Sequence, residues 1–195
     1  MTQIGFWQLV KLTARDPLEA GRIVRHWPAS REALVLATAL IAVVIAMILA
    51  VVQIPIEDGS AMQMGLPMLL IACIGMFVGF TVQSFFEYFI PARLFSGTGT
   101  FDQAWKHRIW LFIWSLLIVI PFIVLSAILG GFGATGMFFP FIIAMAIWMF
   151  WIQVSFLAAL HDFKNRLLVF LGLVGFSILF QLLVGMIGGL LGVAA

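Results

Sequence analysis

Five stretches of this chain run long enough to cross a bilayer without one charged side chain: residues 33–53, 66–86, 109–130, 137–160 and 167–195. A hydrocarbon core about 30 Å thick needs about 20 apolar residues in a helix, and each stretch meets that length. Alternating barrel patterning is absent, and a helix satisfies its backbone groups within one segment. The chain is therefore expected to be all-α, a polytopic membrane protein built as a five-helix transmembrane bundle. Composition agrees: 64% of residues are apolar and 9% charged, against roughly a quarter charged in soluble domains. A net charge of +2 is too small for a nucleic-acid surface, so no nucleic-acid partner is expected. The single cysteine, Cys73, lies within an apolar run and forms no disulfide framework.

Orientation follows from basic residues near the span ends. Lys11, Arg15, Arg22, Arg25 and Arg31 precede the first run, Arg93, Lys106 and Arg108 lie between the second and third, and Lys164 and Arg166 between the fourth and fifth. The loop after the first run holds Glu57 and Asp58 and no cation. All ten basic residues thus fall on one side, which predicts an N-terminus in the cytoplasm and a C-terminus outside. The opening segment is too charged, and the run after it too long, for a cleavable signal.

Residues 1–32 read as a cytoplasmic amphipathic segment and 33–195 as the transmembrane domain. Asp16 is a good N-cap, Pro17 suits the first helical position, and Glu19 makes the first turn acidic, so residues 16–27 are expected to form a helix. Ala20, Ile23, Val24 and Trp27 share one face while Glu19, Arg22, Arg25 and His26 take the other. Two readings are open: the helix lies in the membrane interface with Arg22 and Arg25 toward anionic headgroups and Trp7 and Trp27 as anchors, or it packs beneath the bundle as a lid. Residues 3–13 suggest a similar helix with Phe6, Leu9 and Val10 toward lipid. Trp105 and Trp110 also fall in the inferred interface, whereas Trp114, Trp148 and Trp151 read as bundle packing. Thr100 and Gln103 have capping-box spacing after a glycine-rich turn.

Polar side chains within the runs are candidates for function because burying them in lipid is costly. Gln83, Ser84, Ser115, Gln153 and Ser155 fall at similar depths, with Glu87, His161 and Asp162 at the adjacent span ends. A recess open to the cytoplasm between the second, third and fourth spans would gather them. Interhelical hydrogen bonds, or an ion-pair network of Glu87, Arg93, His161 and Asp162, would explain the same pattern. A metal held by Glu87, His161 and Asp162 lacks the usual ligand spacing, so neither metal nor cofactor is expected. No nucleophile–base motif occurs, which points away from an enzyme. Gly75 and Gly79, Gly185 and Gly189, and Gly188 and Gly192 have the spacing that lets helix backbones approach, within one chain or in a homo-oligomer.

Three segments carry a resemblance. Asp16-Pro-Leu-Glu-Ala-Gly-Arg, Gly97-Thr-Gly-Thr-Phe-Asp-Gln-Ala and Phe156-Leu-Ala-Ala-Leu-His-Asp-Phe are similar, in order and depth, to stretches of the Yip family, named after Ypt-interacting protein, in its small bacterial branch. The resemblance implies five spans, a place in a bacterial inner membrane, a non-enzymatic role in membrane organisation or shaping, and recruitment of partners. The chain departs from the eukaryotic members before its first span, so their GTPase binding is not carried over. A small transporter, channel or lipid-translocating protein using the polar recess is the alternative function.

Overall fold

A computed structural model of the chain describes residues 4–51, 66–128 and 135–175. Among the described residues every regular element is helical: α1 (Phe6–Arg15), α2 (Pro17–Arg25), α3 (Arg31–Val51), α4 (Leu66–Leu94), α5 (Phe101–Ile128) and α6 (Thr135–His161), then α7 (Arg166–Gly175). Three helices in this set are long and apolar enough to cross a membrane, over Arg31–Ile48, Pro67–Arg93 and Pro140–His161. This fits an integral membrane protein. The third apolar run lies in α5, which is helical to Ile128. Most of the fifth run, with Gln181 and the Gly185–Gly192 pairs, lies outside the described residues, as do Glu57 and Asp58.

Local rules account for the helix ends. The Asp16 carboxylate accepts a hydrogen bond from the Glu19 N–H at 3.1 Å, with Pro17 at the first position of α2. The helix stops two residues short of the expected end, because Pro28 disfavours helical backbone at Trp27. Thr100 and Gln103 cap α5 reciprocally: the Thr100 N–H donates to the Gln103 side chain at 3.0 Å, and the Gln103 N–H to the Thr100 hydroxyl at 3.4 Å. α6 closes with the Phe163 N–H donating to the Ala158 carbonyl at 2.9 Å and with Asp162 left-handed at φ 57°. That position usually takes glycine; aspartate is among the few other residues that visit it.

The lid alternative describes how α1 and α2 sit. Leu9, Ala20 and Val24 join Trp110, Trp114, Ile152 and Phe156 in one buried cluster. Leu9 is 2% exposed, so its expected lipid-facing position is corrected: it points into α5 and α6. Phe6 and Trp7 remain exposed. Gly21 permits the close approach, since a Cβ there would lie 2.8 Å from the Ala159 Cβ and 3.3 Å from the Phe156 backbone. Trp105 and Trp110 are likewise buried within the protein. Each indole N–H donates to a buried threonine hydroxyl, Trp110 to Thr13 at 2.9 Å and Trp105 to Thr38 at 2.8 Å. Each hydroxyl in turn donates to the carbonyl four residues back, at Leu9 and Leu34. The same device thus joins α5 to α1 and to α3.

Away from the lid the helices divide into two faces. On α3, Leu34, Thr38, Ile41 and Ala42 are buried while Leu36, Leu40, Val43 and Met47 are exposed. On α4, Leu70, Ile71, Ile74, Val78 and Val82 are exposed. Apolar stripes at helical spacing facing outward suit a lipid solvent, which asks no polar coat of the protein.

Candidate functional site

Polar groups gather where α4, α5 and α6 meet the lid end. Gln83 and Glu87 are one helical turn apart on α4, and Arg108 of α5 reaches both. One guanidinium N–H donates to the Glu87 carboxylate at 3.0 Å, and the other arm donates to the Gln83 side-chain oxygen. The Gln153 amide of α6 also donates to that Glu87 oxygen, at 3.4 Å. The Arg108 guanidinium lies over the Phe80 ring, 5.8 Å from its centre. Arg108 and Glu87 side chains are 22% and 11% exposed, so this charge pair is largely withdrawn from solvent and held together by three helices.

Beside the pair lies a partly open cavity of about 570 Å³. Its polar end is made by Gln83, Arg108 and Gln153, with Ser115 one turn or more deeper; Gly75, Gly79, Met76 and Met149 line the apolar remainder. Each wall is a helical stripe: 41 and 45 on α3, 75, 76, 79, 80 and 83 on α4, 108, 111, 112 and 115 on α5, 146, 149, 150 and 153 on α6. A Cβ on Gly75 or Gly79 would meet nothing within 4 Å, so no described helix packs into that groove. Behind the pair, a void of about 10 Å³ touches Glu87, His107 and Gln153.

The structure brings three of the sequence-predicted residues, Gln83, Ser115 and Gln153, to this cavity, and places Glu87 immediately behind its polar end. Ser84 and Ser155 are corrected: both hydroxyls donate back into their own helices, to Phe80 and Trp151 at 2.9 Å, and both are fully buried. Arg93 is not part of the ion-pair network; it lies over Phe89. Arg108 was missed as a site residue because it precedes the uncharged run and so reads as a loop cation. Its seven-residue spacing from Ser115, two helical turns, was the available signal.

His161 and Asp162 belong to a second cluster, a latch between the lid and the bundle. Pro91 continues α4 without an N–H, so it cannot serve the Glu87 carbonyl four residues back. His161 Nε2 takes that role, 2.9 Å from the Glu87 carbonyl, while Nδ1 accepts from the Gly99 N–H at 3.3 Å. With both nitrogens engaged, the ring is the neutral Nε2–H tautomer and offers no lone pair to a metal. The turn folds over this ring so tightly that a Cβ on Gly97 would lie 2.3 Å from Nδ1. Arg25, expected to face headgroups, instead turns inward: its guanidinium donates to the Asp162 carboxylate at 2.5 Å and to the Ala159 carbonyl at 3.3 Å. The last turn of α6 attracts a cation because its carbonyls are unpaired there. Thr98 donates to the same carboxylate at 2.9 Å. Arg25 and Thr98 together hold the Asp162 carboxyl below its ordinary pKa. Arg22 stays outside, 3.3 Å from Glu19.

His107 sits before the apolar run of α5, under the lid. Its Nε2 lies 2.8 Å from the Gly21 carbonyl and so carries the proton. Burial, against the raising effect of that hydrogen bond and with nearby cations, pushes its pKa down to about 3. No family model, curated protein or solved structure matches the chain.

Proposed function

We propose that the chain is a non-enzymatic, Yip-like protein of the bacterial inner membrane, with five spans and a cytoplasmic N-terminus, that organises the bilayer through its N-terminal lid. One observation supports this reading above the others. The lid buries Leu9, Ala20 and Val24 against α5 and α6, yet leaves Ile4, Phe6 and Trp7 exposed, with Lys11, Arg15 and Arg22 also exposed nearby. Exposed aromatics with cations suit the headgroup layer, where rings straddle apolar and wet zones and basic side chains meet anionic lipid. A Trp7→Cys variant in a Cys73→Ser background, labelled with a polarity-sensitive dye in lipid nanodiscs, tests it. The dye should report an interfacial setting that deepens with anionic lipid. A dye that stays in bulk water at every lipid composition removes the reading.

A second reading, a small transporter, channel or lipid-translocating protein, is favoured by the cavity of about 570 Å³. Reconstituted flux decides it: flux that Gln153→Leu abolishes supports transport, and the lack of flux in the unaltered chain removes it.

A further inference from the structure

The cavity has a direction. Gln83, Arg108 and Gln153 stand at the lid end, and the walls become apolar toward Gly75 and Ala146 apart from Ser115, whose hydroxyl donates to the Phe112 carbonyl of its own helix at 2.7 Å. From residue 83 to residue 75 the helical rise covers about 12 Å, close to half of a hydrocarbon core about 30 Å thick. Its volume of about 570 Å³ lies within the roughly 300–1,000 Å³ range of small-molecule sites. A polar mouth, close to one leaflet of depth and largely apolar walls are the proportions of a lipid's phosphate group with one of its acyl chains.

The chemistry of the mouth narrows the class. A guanidinium has five N–H donors, and Arg108 directs one arm to Glu87 and the other to Gln83, which leaves donors over on a residue that lines the cavity. Because the Gln83 oxygen accepts from Arg108, its amide N–H₂ remains a donor on a residue that lines the same space. Gln153 uses one amide N–H on Glu87 and keeps a second. Guanidinium with two amides is a donor-rich set suited to phosphate oxygens. Glu87 balances the charge of Arg108, so the mouth is neutral overall and holds a phosphate by donated hydrogen bonds, which disfavours a free dianion more than a phosphodiester.

We propose that this cavity binds one glycerophospholipid of the adjacent leaflet, its phosphate held by Arg108, Gln83 and Gln153 and an acyl chain lying along Gly79 and Gly75. The site is that of the second reading above, but transport is not required: a bound lipid without flux leaves the site standing and removes only transport. Gly79 supplies the clean test, because a side chain there enters open space and leaves the Arg108–Glu87 pair untouched. The full chain, purified in mild detergent, is measured by native mass spectrometry and by rebinding after delipidation. The probes are a phospholipid, a diacylglycerol with the same chains, and inorganic phosphate. One phospholipid per chain is expected to be retained, bound at least about tenfold more tightly than the diacylglycerol, with no measurable hold on inorganic phosphate. Gly79→Leu should weaken phospholipid binding by about tenfold or more at unchanged thermal stability, and Arg108→Lys should reduce the preference for the phosphate. Failure of the unaltered chain to retain phospholipid overturns the proposal. So does equal retention by Gly79→Leu, equal binding of the diacylglycerol, or competition by inorganic phosphate at lipid concentrations. Disulfide formation between Gly79→Cys and Gln181→Cys, in a Cys73→Ser background, would give the cavity to the chain's own final segment and also overturn it.

Discussion

Gly21 in α2 and Gly79 in α4 are both helical glycines, but a Cβ on Gly21 would lie 2.8 Å from the Ala159 Cβ and one on Gly79 would meet nothing within 4 Å. The contrast runs through the molecule. At the lid end, buried indoles reach threonine hydroxyls, a histidine replaces the hydrogen bond that Pro91 cannot make, and Arg25 closes the end of α6. Toward the other end, α4 shows most of its apolar surface and encloses space against α5 and α6. The lid end excludes solvent by close packing, so shape and hydrogen bonding are demanding there. The exposed apolar stripes of α3 and α4 suit a lipid solvent, which tolerates open apolar grooves.

The sharpest way to break this comparison is to add a side chain at each place. Gly97→Ala would set a Cβ 2.3 Å from His161 Nδ1 and should cost about 3 kcal/mol, the upper part of the usual overpacking range. Gly79→Leu should stay within about 0.5 kcal/mol. Thermal unfolding in detergent, followed by tryptophan emission, compares the two, and equal losses would erase the distinction.

Acid should attack the lid end next. His107 titrates near 6.5 when unfolded and at about 3 when folded, so the unfolded chain binds the extra proton between those values. Stability is therefore intact above about pH 6.5 and falls as pH drops toward 3, by about 2 kcal/mol between pH 7 and pH 5. Asp162, whose carboxyl is held low by Arg25, acts in the same direction at lower pH: its contribution is present above the unfolded carboxylate pKa and is lost through the folded one. A flat stability profile down to pH 5, or one that His107→Phe does not flatten, contradicts this account.

Threonines give a smaller comparison. Thr13→Val preserves shape but leaves the buried Trp110 N–H without its acceptor, at a cost of about 1–2 kcal/mol. Thr81 only donates to its own helix at Phe77, so Thr81→Val should change stability by less than about 0.5 kcal/mol. Chemical denaturation of the two variants checks the difference. Smallest of all, Arg22→Ala removes only a pair exposed on both sides and should leave the unfolding midpoint unmoved.

The parts legible in the sequence were those governed by neighbours along the chain. Asp16, Pro17 and Glu19 announced α2, Thr100 and Gln103 announced α5, and the uncharged runs announced long apolar helices. Gln83 and Glu87 could be placed on one face, and Gln153 at a similar depth. Their partner, Arg108, was not legible as such, because nothing local distinguishes a cation that turns into a bundle from one that faces headgroups. Arg25 shows the same ambiguity: its place opposite the apolar stripe of α2 suggested solvent or lipid, and the end of α6 claimed it.

Helix caps and apolar run lengths depend on interactions within a few residues, and for these the amino-acid order was sufficient. Whether glycine spacing becomes a helix contact or an empty groove depends on which helix comes alongside. The same holds for whether an arginine meets lipid or Asp162, and for whether a histidine binds metal or replaces a proline's missing N–H. Those outcomes rest on groups dozens of residues away, at separations of 2.5–3.3 Å for the Arg25, His161 and Arg108 contacts, which only the folded arrangement of α2, α4, α5 and α6 sets.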